Sequence, residues 1–138
     1  MRKPFLTQPH LHGALLFARL LSGSFILFGH GWGKFASFSE RIQSFADPIG
    51  IGGELSFILI FFAEFVCSIL LILGLFTRLA VIPLIIGMSV IAFVVHGPDL
   101  WSAKELPLLY AILFSTILIG GPGRYSLDRI FFHRRSRD

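Results

Sequence analysis

Four stretches of the 138-residue chain are apolar for long enough to cross a lipid bilayer, and this excludes most folds. The hydrocarbon core of a bilayer is matched by about 20 residues of helix. The first stretch runs from about residue 14 to 33, the second from 54 to 76, the third from 79 to 97, and the fourth from 105 to 121. Within hydrocarbon every backbone N–H and C=O has to be satisfied inside the segment, which a helix does. The expected class is therefore an all-α membrane protein, a four-helix transmembrane bundle in one integral domain over residues 1–138.

The breaks between the runs make physical sense. In Gly74-Leu75-Phe76-Thr77-Arg78, Gly74 ends one helix and Thr77 is placed to cap the next. His96-Gly97-Pro98-Asp99 is a turn signal, and Gly121-Pro122-Gly123 stops the fourth run. Pro107 falls in the first turn of a helix that begins near Glu105, where its missing N–H costs nothing. Between the first and second spans, Phe35, Phe38, Ile42, Phe45 and Ile49 recur at steps of three and four, with Ser37, Glu40, Arg41, Ser44 and Asp47 on the other side. This is a short amphipathic helix over about residues 35–47. The pattern fits a helix lying in the membrane interface and equally a cover packed over the mouth of the bundle.

Only 14% of the residues are charged and 54% are hydrophobic, with a mean hydropathy of +0.78. The net charge of +4 sits mostly at the two ends, beside apolar runs, which argues for a membrane flank and against nucleic acid. With the amino terminus inside, Arg2, Lys3, Arg78, Arg124, Arg129, Arg134, Arg135 and Arg137 lie inside, against Lys34, Arg41 and Lys104 outside. That asymmetry places both termini in the cytoplasm, with residues 122–138 a basic tail on the anionic leaflet. Arg19 interrupts the first apolar run, so the amino terminus does not read as a cleaved signal peptide.

Charged groups inside the spans need a reason, because each costs roughly 3 kcal/mol at mid-membrane even on lenient scales. At about 3.6 residues per turn, Arg19, His30 and Lys34 share one face of the first helix, with Gly23 on the same stripe. Glu64 is the deepest acid, near the middle of the second span, with Arg19 to one side of its depth and His30 to the other. Both are within side-chain reach. Cys67 and Ser68 follow Glu64 on its face. His96 and Glu105, together with His30, Lys34 and Glu54, collect at the outer mouth.

Each feature has a structural reading beside a functional one. An Arg19–Glu64 pair fixes helix register or takes part in chemistry. The outer cluster is helix-end snorkelling or a binding site. His30, His96 and a glutamate are suitable metal ligands, but their spacing matches no local motif and no metal is assigned. Cys67, the only cysteine in the 138 residues, reads as packing. Trp32 and Trp101 fall where indoles anchor to the membrane surface.

With these residues placed, the chain resembles the DoxX-like family of small four-span bacterial membrane proteins over about residues 15–129. Four blocks carry the likeness. The first is Arg19 with Gly23 and Gly29-His30-Gly31-Trp32-Gly33-Lys34, and the second is Glu64 with Gly74-Leu75-Phe76-Thr77-Arg78. The third is His96-Gly97-Pro98 with Glu105. The closing block, Gly121-Pro122-Gly123-Arg124-Tyr125-Ser126-Leu127-Asp128, is the most specific.

The resemblance implies an inner-membrane protein linked to redox work. Some members resemble a subunit of thiosulfate:quinone oxidoreductase, and others are tied to membrane complexes that handle oxidative and thiol stress with soluble partners. One cysteine makes no dithiol, and the sequence carries no flavin fingerprint and no iron–sulfur cysteine set. A bound quinone or a partner would therefore carry the electrons.

The resulting expectation is a membrane subunit of a redox complex, with quinone as the cofactor and a soluble redox enzyme or further copies of the chain as partners. Glu64, Arg19 and His30 form the chemically active set, and Arg19, His30, Lys34, Glu64, His96 and Glu105 the binding cluster. The alternative is a non-catalytic membrane anchor or assembly partner for a soluble enzyme. A small transporter is a third reading, with no matched broken helices to support it.

Overall fold

The computed structural model describes residues 9–132, which form helices and connecting turns with no strand among them. Four helices are long and apolar enough to cross a membrane: α1 (Pro9–Ala36), α3 (Gly53–Leu73), α4 (Thr77–Val95) and α5 (Trp101–Gly120). Two short helices accompany them, α2 (Phe38–Ser44) and α6 (Leu127–Phe132). Arg2, Lys3, Arg134, Arg135 and Arg137, which enter the charge count, lie outside the described residues.

The bundle closes on a core of Ile26, Leu71, Leu84, Phe114 and Ile117, all fully buried. The opposite faces carry Phe17, Leu79, Phe93, Ile112 and Ile119 exposed. Such a surface would aggregate in water and suits a lipid solvent. Helices α4 and α5 share the most extensive interface, while α1 packs on the second half of α3 and on α5. Gly23 allows the α1–α3 approach, since a Cβ there would stand 2.7 Å from Ile72 Cγ1.

Three of the spans widen from α to π geometry, at Leu27–Gly31, Phe62–Cys67 and Ile91–Val95. A π turn holds more residues than an α turn, so each residue advances less than the usual 100° or so around the axis. The helical phase read from sequence therefore slips past Leu27. His30, in phase with Arg19 on an ideal helix, is turned to the exposed side, whereas Lys34 swings back toward the bundle.

The structure revises two local expectations and adds detail to a third. Helix α5 begins at Trp101, so Pro107 is an interior, buried residue. The extra turn is held by the bond from Ala103 N–H to Leu100 O and by Lys104, whose Nζ donates to Gly97 O at 2.8 Å. Thr77 does not cap α4, because its hydroxyl is turned inward and buried without a partner. The cap comes from Asp128, whose carboxylate accepts from Phe76 N–H at 2.6 Å and Thr77 N–H at 2.9 Å. Finally, the phenylalanines of the amphipathic segment rest on the second span. Phe38 meets Phe57 and Phe61 edge-on at 5.2 and 5.1 Å, and Phe45 meets Phe57 at 5.3 Å.

Candidate functional site

Buried charge is concentrated in two places, at opposite ends of the polar stripe of α1. At one, Lys34 Nζ lies 2.5 Å from Glu64 Oε2. The Lys34 side chain is 14% exposed and that of Glu64 only 2%, so this is an ion pair held largely out of solvent. Gly31 makes it possible. A Cβ at Gly31 would collide with the backbone carbonyl of Glu64, so the π stretches of α1 and α3 touch main chain to main chain there. Lys34 follows three residues on and reaches across to the carboxylate. An ammonium has three donors, and the bond to Glu64 uses one of them.

A strip of aromatic rings runs beside the pair. Trp32 stands 5.6 Å from Phe35, Phe35 stacks on Phe65 at 4.9 Å, and Phe65 stacks on Phe61 at 5.3 Å. Phe61 in turn meets Phe38 of α2. Phe35 and Trp32 remain about half exposed, so the strip opens onto the lipid-facing surface beside the ion pair.

At the other place, Arg19 is 1% exposed and its guanidinium donates to Pro122 O at 2.8 Å and Tyr125 O at 2.6 Å. Gly74 lies against it in a left-handed conformation (φ +70°), and a side chain at that position would overlap the guanidinium. Gly74 O accepts from Asp128 N–H at 2.9 Å. Two of the sequence blocks, residues 74–78 and 121–128, are thus halves of one knot that joins the α3–α4 turn to the segment after α5, with Arg19 threaded through it. Glu64 is not the partner of Arg19.

The remaining expected site residues are dispersed. His30 is exposed and has no hydrogen bond among the described residues. His96 Nδ1 lies 2.7 Å from Asp99 Oδ2, within its own turn. Glu105 and Glu54 are exposed. These groups, expected together at one mouth of the bundle, share no ion pair with one another among the described residues: the π turn leaves His30 exposed, and His96 is bonded within its own turn. Among the described residues no three His, Cys, Asp or Glu side chains lie close enough to share a metal ion. Cys67 is buried and free. Sequence reasoning placed Lys34 on the right stripe but gave Glu64 the wrong partners. The signal it passed over was Gly31, whose missing side chain allows the close backbone approach to Glu64, whereas Gly29 and Gly33 face open space.

A family model described as DoxX matches residues 14–97, more than half of the chain. A protein of Haemophilus influenzae (strain ATCC 51907 / DSM 11121 / KW20 / Rd), itself uncharacterized, is 35% identical over 112 residues, covering 76% of this chain and 81% of its own length. No solved structure matches the chain.

Proposed function

The chain belongs to the DoxX family of bacterial membrane proteins, and on that premise we propose that it is a quinone-linked membrane subunit of a redox complex, with Lys34 and Glu64 as the groups that meet the quinone. The observation that carries this reading is a largely buried ammonium–carboxylate pair at the edge of an aromatic strip open to lipid. A quinone offers two carbonyl oxygens and a flat ring. The ring suits the stacking surface of Phe35, Phe65 and Phe61. An oxygen suits one of the ammonium donors of Lys34 not used by Glu64. Bound there, the quinone would supply the two-electron acceptor, with the electrons delivered by a soluble redox partner. As the ring takes up two electrons, Lys34 would donate a proton to the oxygen it bonds, and Glu64, two hydrogen bonds from that oxygen, would relay a replacement proton to Lys34 from water, which also supplies the second proton of the quinol. Arg19 and His30, expected in this role from sequence, are replaced by Lys34: the first is committed to backbone carbonyls and the second faces outward.

The same reading places the chain in the cytoplasmic membrane with both ends in the cytoplasm. The excess of lysine and arginine at that end supports it.

Trp32 provides the test, since its ring belongs to the strip. In a Trp101→Phe background in lipid nanodiscs, a short-chain quinone should quench Trp32 fluorescence along a saturating curve. Lys34→Met should weaken apparent affinity about tenfold, equivalent to about 1.4 kcal/mol, the loss of one charge-assisted hydrogen bond. Quenching that rises linearly without saturation, the same in both proteins, would sink the quinone site and leave the membrane-anchor reading.

A further inference from the structure

The knot around Arg19 leaves a cavity of about 440 Å³ on its outer side, between the start of α4 and the segment from Gly120 to Phe132. Two arginines from opposite walls line it, Arg78 on the first turn of α4 and Arg129 on α6. The Arg78 guanidinium lies along Gly121, where a Cβ would stand 3.1 Å from Nη2, so the glycine is what lets this exposed cation lie against the segment after α5. Among the described residues neither arginine has a carboxylate within ion-pair distance. The only acid in the wall is Asp128, and both its oxygens are already engaged by the N–H groups of Phe76 and Thr77. The rim is apolar: Phe76 packs on Phe132 at 5.8 Å, and Leu79, 66% exposed, continues down the lipid-facing side of α4.

We propose that this cavity binds a phosphate group, and that its source is the headgroup of an anionic phospholipid. Paired guanidinium forks match phosphate oxygens, which gives the chemistry. The setting gives the source: the cavity opens at the end of a membrane-spanning helix, with an apolar track of Phe76, Phe132 and Leu79 leading from the cations toward hydrocarbon. The lipid would close the gap between α4 and α6, seating the short terminal helix on the bundle. This site lies at the opposite end of the polar stripe from Lys34 and Glu64 and does not depend on the quinone reading.

The test is native mass spectrometry of the full chain released from detergent with added phosphatidylglycerol, phosphatidylethanolamine or inorganic phosphate. One phosphatidylglycerol should be retained in preference to phosphatidylethanolamine. Arg78→Gln and Arg129→Gln should each lower its occupancy constant about fivefold, and the two together about 25-fold, while Arg41→Gln on α2 leaves it unchanged. The Arg78→Lys/Arg129→Lys protein keeps both charges but loses the planar forks and should bind between wild type and the double Gln protein, which separates loss of charge from loss of fold. Equal retention of the two lipids, or no effect of the double Gln substitution, would overturn the site. Retention of inorganic phosphate without lipid preference would keep the phosphate site and overturn its lipid source.

Discussion

Arg19 and Lys34 are both cations on the buried face of α1, and the bundle treats them in opposite ways. Arg19 is fastened to main-chain oxygens, those of Pro122 and Tyr125, which have fixed positions and never change protonation. Lys34 is fastened to a side chain, Glu64, which can do both. The surroundings differ in the same sense. Arg19 is walled in by Gly74 and the closing segment, so it works as a rivet between remote parts of the chain. Lys34 keeps partial exposure, spare donors and a row of rings at its side. A buried charge whose partners are backbone carbonyls specifies shape. One whose partner is another ionisable side chain, at a lipid-facing edge, has the parts needed to exchange a ligand or a proton.

Removing the rivet is the harshest test of this contrast. Arg19→Leu leaves two buried carbonyls without donors, at about 1–3 kcal/mol each, and frees the segment from Gly121 to Ser126. Thermal unfolding in detergent should show the largest loss of any single substitution among the polar stripe residues. Arg19→Lys should recover only part of it, since a compact ammonium lacks the planar fork that spans two acceptors. A melting temperature within about 2 °C of wild type for Arg19→Leu would show that the knot holds without its arginine.

The pair should respond more mildly. Breaking a buried ion pair costs about 3–5 kcal/mol where the remaining charge stays in place, but a carboxyl stranded in hydrocarbon can take up a proton. Lys34→Met should therefore fall at or below the low end of that range, and the double change Lys34→Met/Glu64→Leu should restore stability to near wild type. If the double variant is stable yet Trp32 no longer reports quinone, the pair serves ligand binding more than fold. If the double variant is as unstable as Arg19→Leu, the distinction between the two cations fails.

The contrast also explains which parts of the molecule could be read from sequence. The four spans were legible because apolar length alone decides them, and the turns because glycine and proline mark them. That Arg19 and Glu64 are buried was legible from their place within apolar runs, whereas Lys34 reads from sequence as lying just beyond the first span. Their partners were not. Phase counting assumes an ideal α-helix, and the π stretch at Leu27–Gly31 slips that phase, turning His30 out and Lys34 in. The knot was hidden for a different reason: Arg19 and Tyr125 are 106 residues apart, and no local pattern announces that carbonyls so distant will receive the guanidinium. Likewise, Thr77 looked like the cap of α4, whereas the carboxylate that does the capping comes from Asp128, 51 residues further along the chain.

A third carboxylate sets the mild end of the comparison, because it lies outside the spans and binds only backbone and one hydroxyl. Asp47 collects the N–H groups of Gly50 and Ile51 on Oδ1, at 2.9 and 3.0 Å, and that of Gly52 on Oδ2, at 2.8 Å, folding the α2–α3 turn around itself. The bond from Gly52 leads in holding its carboxyl below the usual aspartate range; partial loss of solvent acts against it, and Ile51, Ser56 and Gly50 add to it. A carboxyl lowered on folding contributes stability that is full above its unfolded value, about pH 3.9, and is lost as pH falls through the lower folded value. Amide exchange at Gly50, Ile51 and Gly52 should therefore stay protected from neutral pH down to about pH 4 and open below it. Asp47→Asn keeps one acceptor oxygen, so it should expose Gly52 at every pH while sparing Gly50 and Ile51, with little change in melting temperature. Protection that persists unchanged in Asp47→Asn would mean the turn is set by its glycines alone, since both Gly50 (φ +77°) and Gly52 (φ +98°) are already in conformations that favour glycine.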